Sequence, residues 1–374
     1  MSTLSFISSK TLTTVFIVLL WTLVFFGLLI IASAGAIDGQ RRFDSSYYYV
    51  SQQITRGVFI GSIAFTLALI LPESLIIFSA VPVFISTIIL LFLTLFSYFA
   101  PSIKGASRWL YLGPVSFQPS EFIKIGLILY LSAWLGPRIR KDSLSLTDVL
   151  PVIIVAGIAG LILILQPDIG TLGVVSLILL SLLFFAGIRW SHLGGILTLG
   201  IAAVLVLSLI SPYRLDRLRA FLDPSHDPSG ASYHITQALN TMEGIGWFGR
   251  GYGNSIQKVR SLPEPVGDSV FAVFAEETGF VGSALLFCML LSLSIVSVLI
   301  ALREREMFWR LLCLGFAAWV FFQTVINVGA ITGILPFTGV PLPFISFGSS
   351  SLIALLGLAG LVARTARRNQ KSNY

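Results

Sequence analysis

Asp268 stands where a long polar segment meets an apolar run, and its type and place allow two kinds of chemistry. Just ahead of a helix, Asp is a favoured N-cap, its carboxylate accepting from the free amides of the first turn. At a membrane surface, an ionised carboxylate can instead take a proton from an attacking sugar hydroxyl, the task of a general base. Spacing alone leaves the two readings level. The segment from Ser211 to Asp268 holds further binding groups. Arg214, Arg217 and Arg219 come first, then Asp223, then Tyr233, His234 and Gln237. Glycines follow at Gly244, Gly246, Gly249, Gly251 and Gly253, and Lys258, Arg260 and Glu264 lead up to Asp268. Cations on glycine-rich backbone suit a diphosphate-bearing ligand, because guanidinium groups bridge phosphate oxygens in a bidentate way. The same glycines would also simply make turns, and their spacing fits neither a dinucleotide fingerprint nor a P-loop. His234 is a second acid–base candidate, although a lone loop His more often serves hydrogen bonding or structure.

Other ionisable residues lie within apolar runs, where each is costly. Glu121 and Lys124, three apart, share one helical face within ion-pair reach. Glu121 also falls in a first turn, where the helix dipole favours a carboxylate. A structural ion pair and a direct substrate contact stand equal as readings of these two. Asp168 follows Pro167 at a helix end, which favours a capping or turn role over catalysis. Glu276 and Glu277 sit early in an apolar run, so at least one must face a polar cavity or a basic partner.

The elements that position these groups are membrane helices. Hydrophobic residues make up 56% of the chain and charged residues 11%, against roughly a quarter charged in a soluble domain. Runs of roughly 20 apolar residues predict an all-α polytopic protein with ten spans, near 12–35, 55–72, 75–99, 118–136, 149–166, 169–188, 191–211, 269–301, 309–331 and 344–365. The first run exceeds a signal-peptide core and reads as a retained helix. All of 1–374 reads as a single membrane domain, with a long loop at about 212–268 between the seventh and eighth spans. With the N-terminus inside, the short inner loops and tails carry 12 basic residues and the short outer loops 5, so both termini are expected in the cytoplasm. The long loop, the loop at 100–117, the Pro167 turn and the segment 332–343 then share the outer face. The net charge of +7 is spread over loops and tail without a basic stripe, which argues against nucleic acid and for membrane topology, anionic headgroups or anionic substrates. Cys288 and Cys313 lie in apolar runs and read as small buried residues, with no disulfide framework or metal site implied.

Five ordered blocks resemble the SEDS family (shape, elongation, division, sporulation). They are Gly105-Ala106-Ser107-Arg108-Trp109-Leu110 with Phe117-Gln118-Pro119-Ser120-Glu121 and Lys124; Gln166-Pro167-Asp168-Ile169-Gly170-Thr171; Tyr233-His234 with Gln237; Leu262-Pro263-Glu264 with Asp268 and Phe271-Ala272-Val273, ending in Ala275-Glu276-Glu277-Thr278-Gly279-Phe280; and Asn327 with Leu335 through Gly348. The resemblance implies a ten-span fold, peptidoglycan glycosyltransferase activity on lipid II, and a class B penicillin-binding transpeptidase as partner within the division or elongation machinery of the bacterial cytoplasmic membrane. It also implies that Asp268 is the essential catalytic carboxylate and that Trp109 is tied to activity. The chain departs from the family pattern at Gly267-Asp268-Ser269-Val270-Phe271-Ala272, where Thr-Asp-Phe-Ile-Phe-Ala is usual, and at Phe347, where the family has Tyr. Gly253-Asn254-Ser255-Ile256-Gln257-Lys258 is closer to the division-type branch.

Lipid II holds its sugar through an α-linked pyrophosphate and the polymer is β-1,4-linked, so the reaction inverts at the anomeric carbon. Such a step needs a base, for which Asp268 is the candidate, and cations for the departing pyrophosphate, for which Arg108, Arg214, Arg217 and Lys258 are candidates. Trp109, Glu121, Lys124, His234 and Gln237 complete the expected substrate-binding set, and Asp168, Glu276 and Glu277 the structural one. A divalent cation could share the charge neutralisation, but no ligand cluster in the sequence establishes one, and no metal ligand is assigned. A lipid II flippase and a non-catalytic scaffold for the transpeptidase are the alternatives. A flippase predicts charges at mid-membrane depth, whereas Glu121, Lys124, Asp168, Glu276 and Glu277 cluster toward the outer ends.

Overall fold

The computed structural model describes residues 8–371 apart from 97, 102–107, 113–114, 140–143, 211–218, 220, 224–232, 244 and 261. The chain is mostly helical. Helix α1 (Ser9–Phe43) starts on a Ser8 cap, with Thr11 N–H donating to Ser8 Oγ at 3.0 Å. It runs past the expected end at residue 35 for about two more turns. Arg41 and Arg42 in the last turn complement the carbonyl end of the dipole, and left-handed Asp44 ends the helix. Helices α2 (Tyr48–Gln52) and α3 (Phe59–Ile70) form one rod through a π-turn at Gln53–Val58. Then come α4 (Glu73–Leu93), a small antiparallel hairpin of β1 (Leu110–Leu112) and β2 (Val115–Phe117), α5 (Pro119–Leu135), α6 (Leu146–Leu165) and α7 (Ile169–Phe185). The remainder is α8 (Trp190–Ile210), α9 (Tyr233–Met242), α10 (Gln257–Arg260), α11 (Val270–Arg303), α12 (Met307–Ile331) and α13 (Ser349–Lys371).

Among the described residues, seven helices are long and apolar enough to cross a membrane: Ser9–Phe43, Tyr48–Ile70, Glu73–Leu93, Thr147–Leu165, Val270–Arg303, Met307–Ile331 and Ser349–Gln370. Helix α12 is the axis of the bundle, packed against α5, α7, α11 and α13, with Trp309, Phe316 and Trp319 fully buried. Cys313 lies in this core, but Cys288 is exposed on α11, contrary to the expectation of burial. The reason is the solvent: on a membrane helix an apolar residue is as well placed facing lipid as facing protein.

One end of the bundle is tied by charge. Arg368 bridges Glu73 (2.6 Å) and Glu306 (2.8 Å), Arg364 lies 3.9 Å from Glu73, and Arg303 reaches Ser9 Oγ at 3.4 Å. At the other end α11 is broken. The sequence reads 269–301 as one apolar run, but Gly279 adopts φ 73° and ψ −167°, and the stretch Gly246–Gly251 docks into the break. Arg250 and Gly251 N–H donate to Glu276 and Glu277 O at 3.0 and 2.9 Å, and Phe280 and Val281 N–H donate to Gly246 and Trp247 O, each at 3.1 Å. These bonds satisfy the peptide groups that the break would otherwise orphan. A Cβ on Gly279 would lie 2.3 Å from Gly249 N, against backbone that cannot yield. Gly279→Ala is therefore expected to undock the loop, at a cost of roughly 1–3 kcal/mol. Amide hydrogen exchange at Arg250 and Gly251 should accelerate by about 10- to 100-fold.

Candidate active site

Asp268 belongs to the turn that delivers the chain into α11. Gly267 N–H donates to Glu264 O at 3.0 Å, and Val270 N–H to Gly267 O at 3.4 Å. The N-cap position falls on Ser269, which makes no side-chain cap bond, so Asp268 stands one residue ahead of it, half-buried. Its backbone is fixed from two directions. Asn327, near the end of α12, donates from one amide nitrogen to Asp268 O (3.0 Å) and to Val340 O (2.7 Å). Ser346 donates to Gly267 O at 2.9 Å, and Phe347 N–H donates to Val266 O at 2.8 Å. The segment between α12 and α13 thus forms a wall beside the turn. Gly339 lies opposite the carboxylate: with φ 71°, a Cβ there would come within 3.0 Å of Asp268 Oδ2.

That wall is anchored by two glutamines, Gln53 and Gln323, and the second links it to Lys124. Gln53, in the π-turn and buried, accepts from Gly348 N–H at 3.1 Å, and such turns recur at functional sites. Gln323 donates to Pro341 O at 2.8 Å and accepts from Lys124 Nζ at 2.9 Å and Trp319 Nε1 at 2.6 Å. Lys124 in turn grips both oxygens of Glu121 at 2.9 Å, and the two side chains are 1% and 2% exposed. Glu121 and Lys124 therefore lie inside the bundle and support the wall through Gln323. Asp168 caps α7, accepting from Thr171 N–H at 3.3 Å and Thr171 Oγ1 at 2.9 Å. One residue into α7, Gly170 allows contact with Thr338 and Val340, the neighbours of Gly339. Arg108 donates to Pro167 O and lies 3.7 Å from Asp168, and its buried Nε–H has no hydrogen-bond partner among the described residues. Trp109 next to it is half-buried, ahead of β1.

A second polar cluster lies further along α11, at residues 276 and 277. The Lys258 side chain is 3% exposed and gives its donors to Glu277 (2.7 Å), Ser33 (3.0 Å) and Gly253 O (2.8 Å). Glu276 accepts from Ser255 Oγ at 2.6 Å and from the N–H groups of Ile256 and Gln257 at 3.1 and 3.4 Å, with Arg250 3.5 Å away. Both glutamates thus have the partners that their apolar setting demands, and together they clasp the segment 250–258. Gln237 is half-buried on α9, which packs on α11 and α12. Arg214 and Arg217 lie outside the described residues, as does the side chain of His234. Among the described residues, no group of three or more His, Cys, Asp or Glu converges as metal ligands would.

Sequence reasoning passed over Gln323 as a site residue and quoted Asn327 only within a motif. The signal was present: two amides four apart in an otherwise apolar helix share a face, and polar groups in such helices rarely lack a partner. Gly339 and Ser346 gave no signal of their own, since their role depends on contacts distant in sequence.

Residues 13–371 match the cell cycle protein family model that covers FtsW, RodA and SpoVE. FtsW of Aliivibrio salmonicida (strain LFI1238), a probable peptidoglycan glycosyltransferase, is 40% identical over 266 residues, 70% of this chain and 66% of its own, just under two thirds of its length. Its counterpart in Coxiella burnetii (strain RSA 493 / Nine Mile phase I) is 35% identical over 358 residues, 92% of this chain and 93% of its own. Among solved structures, a chain from a peptidoglycan synthase complex that coordinates polymerization and crosslinking matches with a TM-score of 0.74 and 29% identity, over 93% of this chain and 98% of that one. RodA of Thermus thermophilus, a rod shape determining protein, matches with a TM-score of 0.70 and 27% identity, over 95% and 96%. Similarity along nearly the whole sequence, joined to a shared fold, means that this chain belongs to the FtsW, RodA and SpoVE family of cell cycle proteins and is of the FtsW type.

Proposed function

We propose that this chain is a peptidoglycan glycosyltransferase that polymerises lipid II at the outer face of the bacterial cytoplasmic membrane, with Asp268 as general base. The observation that carries the proposal is the placement of Asp268: a half-buried carboxylate on a turn clamped by Asn327 and Ser346, facing the glycine gap at Gly339. Its height supports chemistry on headgroups. Val266 packs beside Gly35, about 26 residues up α1 from Ser9, or about 39 Å at 1.5 Å per residue. The hydrocarbon layer is about 30 Å thick, which leaves Asp268 roughly 10 Å beyond it, where lipid headgroups and the first sugars lie.

In the reaction, the 4-hydroxyl oxygen of the acceptor sugar attacks the anomeric carbon of the donor. The bond from that carbon to the pyrophosphate oxygen breaks, and the electron pair leaves with the lipid pyrophosphate. Asp268 takes the hydroxyl proton as the new bond forms, and one direct displacement converts an α-linked donor into a β-1,4 product. The guanidinium of Arg108, partly exposed beside Asp168, is a candidate to neutralise the departing pyrophosphate, and Arg214 and Arg217 are further candidates. Lys258 is a weaker one, because Glu277 already matches its charge. Ten passes are formed by α1, the α2–α3 rod, α4 to α8 and α11 to α13, with both termini cytoplasmic. The excess of basic residues in the short inner loops supports this orientation. A class B penicillin-binding transpeptidase is the expected partner, in line with the likeness to a complex that joins polymerization to crosslinking.

Gly339→Ala tests the pocket beside the carboxylate. The added methyl meets Asp268 Oδ2 and must adopt a left-handed backbone, a strain of about 1–2 kcal/mol. Turnover of lipid II should fall by about tenfold or more, while the detergent-purified protein stays folded. The overall reading is tested by reconstituting the chain in vesicles with lipid II on the outer leaflet. Glycan strands should accumulate, whereas translocation of lipid II without polymerisation would point to the flippase instead.

A further inference from the structure

The segment docked at the Gly279 break presents aromatic side chains outward. Trp247 is 68% exposed, Phe248 79%, Tyr252 60% and Phe280 60%, and Trp247 packs edge-on against Phe280 at 5.5 Å between ring centres. Large apolar side chains left in water forgo the free energy of burial, so a group of four calls for a covering phase. Two independent rulers locate it. Leu29, whose carbonyl accepts from Tyr252 Oη at 2.7 Å, stands about 20 residues above Ser9 on α1, or about 30 Å. Phe280 stands about 23 residues from Arg303 on α11, or about 35 Å. Ser9 and Arg303 share a level, in the charged belt formed with Glu73, Glu306, Arg364 and Arg368. A hydrocarbon layer about 30 Å thick that starts at this belt ends at the aromatic group. That boundary is where Trp and Tyr rings, apolar in body and polar at one edge, settle. Exposed Phe25 below Leu29 on α1 and exposed Leu285 below Phe280 on α11 continue the apolar surface downward, as a lipid-facing wall would. Arg250, on the same segment and half exposed, suits the headgroup layer.

We propose that Trp247, Phe248, Tyr252 and Phe280 form a lipid-docking surface whose occupant is the headgroup–acyl boundary of the bilayer, at the end of the bundle that holds Asp268. The inference rests on the membrane-spanning fold and is independent of the chemistry assigned to Asp268. Its consequence is mechanical. The docked segment also carries the backbone that Glu276 and Glu277 clasp, so the bilayer steadies the joint about two turns along α11 from Asp268 and helps to fix the height of that carboxylate.

The test uses the full chain in nanodiscs of phosphatidylcholine and phosphatidylglycerol whose acyl chains carry bromine either near the headgroup or near the chain end. Subtracting the Trp247→Phe spectrum from that of the unchanged protein isolates one ring among the seven tryptophans. The difference emission should be quenched roughly twofold more strongly by the shallow bromines than by the deep ones, as an interfacial ring requires. Adding Phe248→Trp to the Trp247→Phe background should create a second ring with the same depth profile. Two results would overturn the proposal. A water-like difference spectrum insensitive to both lipids would put the ring in solvent, and a blue-shifted spectrum insensitive to both would mean that protein, not lipid, covers it.

Discussion

Lys124→Met is expected to unfold or badly loosen the bundle. Lys124 is a buried cation that pairs with Glu121, donates to Gln323 and places its ammonium 4.7 Å from the centre of the Trp319 indole. Removing it leaves a carboxylate at 2% side-chain exposure with no counter-charge in the group, and breaking a buried pair in this way costs about 3–5 kcal/mol. Thermal unfolding of the detergent-purified protein should show a large fall in Tm. Replacing both partners, as Glu121→Leu with Lys124→Met, should recover most of that loss, because a buried pair exchanged for apolar groups is close to neutral in stability. If the single variant keeps its Tm but loses turnover, the pair acts on substrate and its structural role fails. If the double variant is stable yet slow, the link from Gln323 to Pro341 matters to the wall facing Asp268.

Much of this pair was legible in the sequence, because three-residue spacing in a helix fixes a shared face whatever the fold. Its third member was not: Gln323 comes from a helix 199 residues away, and no local rule couples the two. The same division runs through the molecule. Apolar run length located the long helices, since the bilayer demands it of each segment separately. The break at Gly279 was hidden, because its cause is a docked loop and a lone glycine in an apolar run does not announce one. Glu276 and Glu277 declared a need for partners through the cost of burying charge, but only the fold names Arg250, Ser255, Lys258 and Ser33. Asp268 was legible as a carboxylate at a helix start. The reason Gly339 stands opposite it was not, since that glycine is set by a contact between segments about 70 residues apart.

The second large effect concerns Asp268 itself. Asp268→Asn keeps the volume of the side chain and leaves the Asn327 and Ser346 bonds untouched, since both are made to backbone oxygens of the turn. The fold and any partner binding should therefore survive, while the group that accepts the hydroxyl proton is lost. A positioned general base contributes about 10²- to 10⁴-fold, so polymerisation should fall by that factor. A scaffold in which Asp268 only shapes a helix start predicts the opposite pattern, with weakened folding or partner binding and no chemical step to lose. The most direct measurement is the rate at which purified, reconstituted Asp268→Asn converts lipid II into glycan strands, with Tm and transpeptidase binding recorded on the same preparation. The account predicts a fall of about 100-fold or more in rate with Tm and binding unchanged; polymerisation at the unsubstituted rate would contradict it.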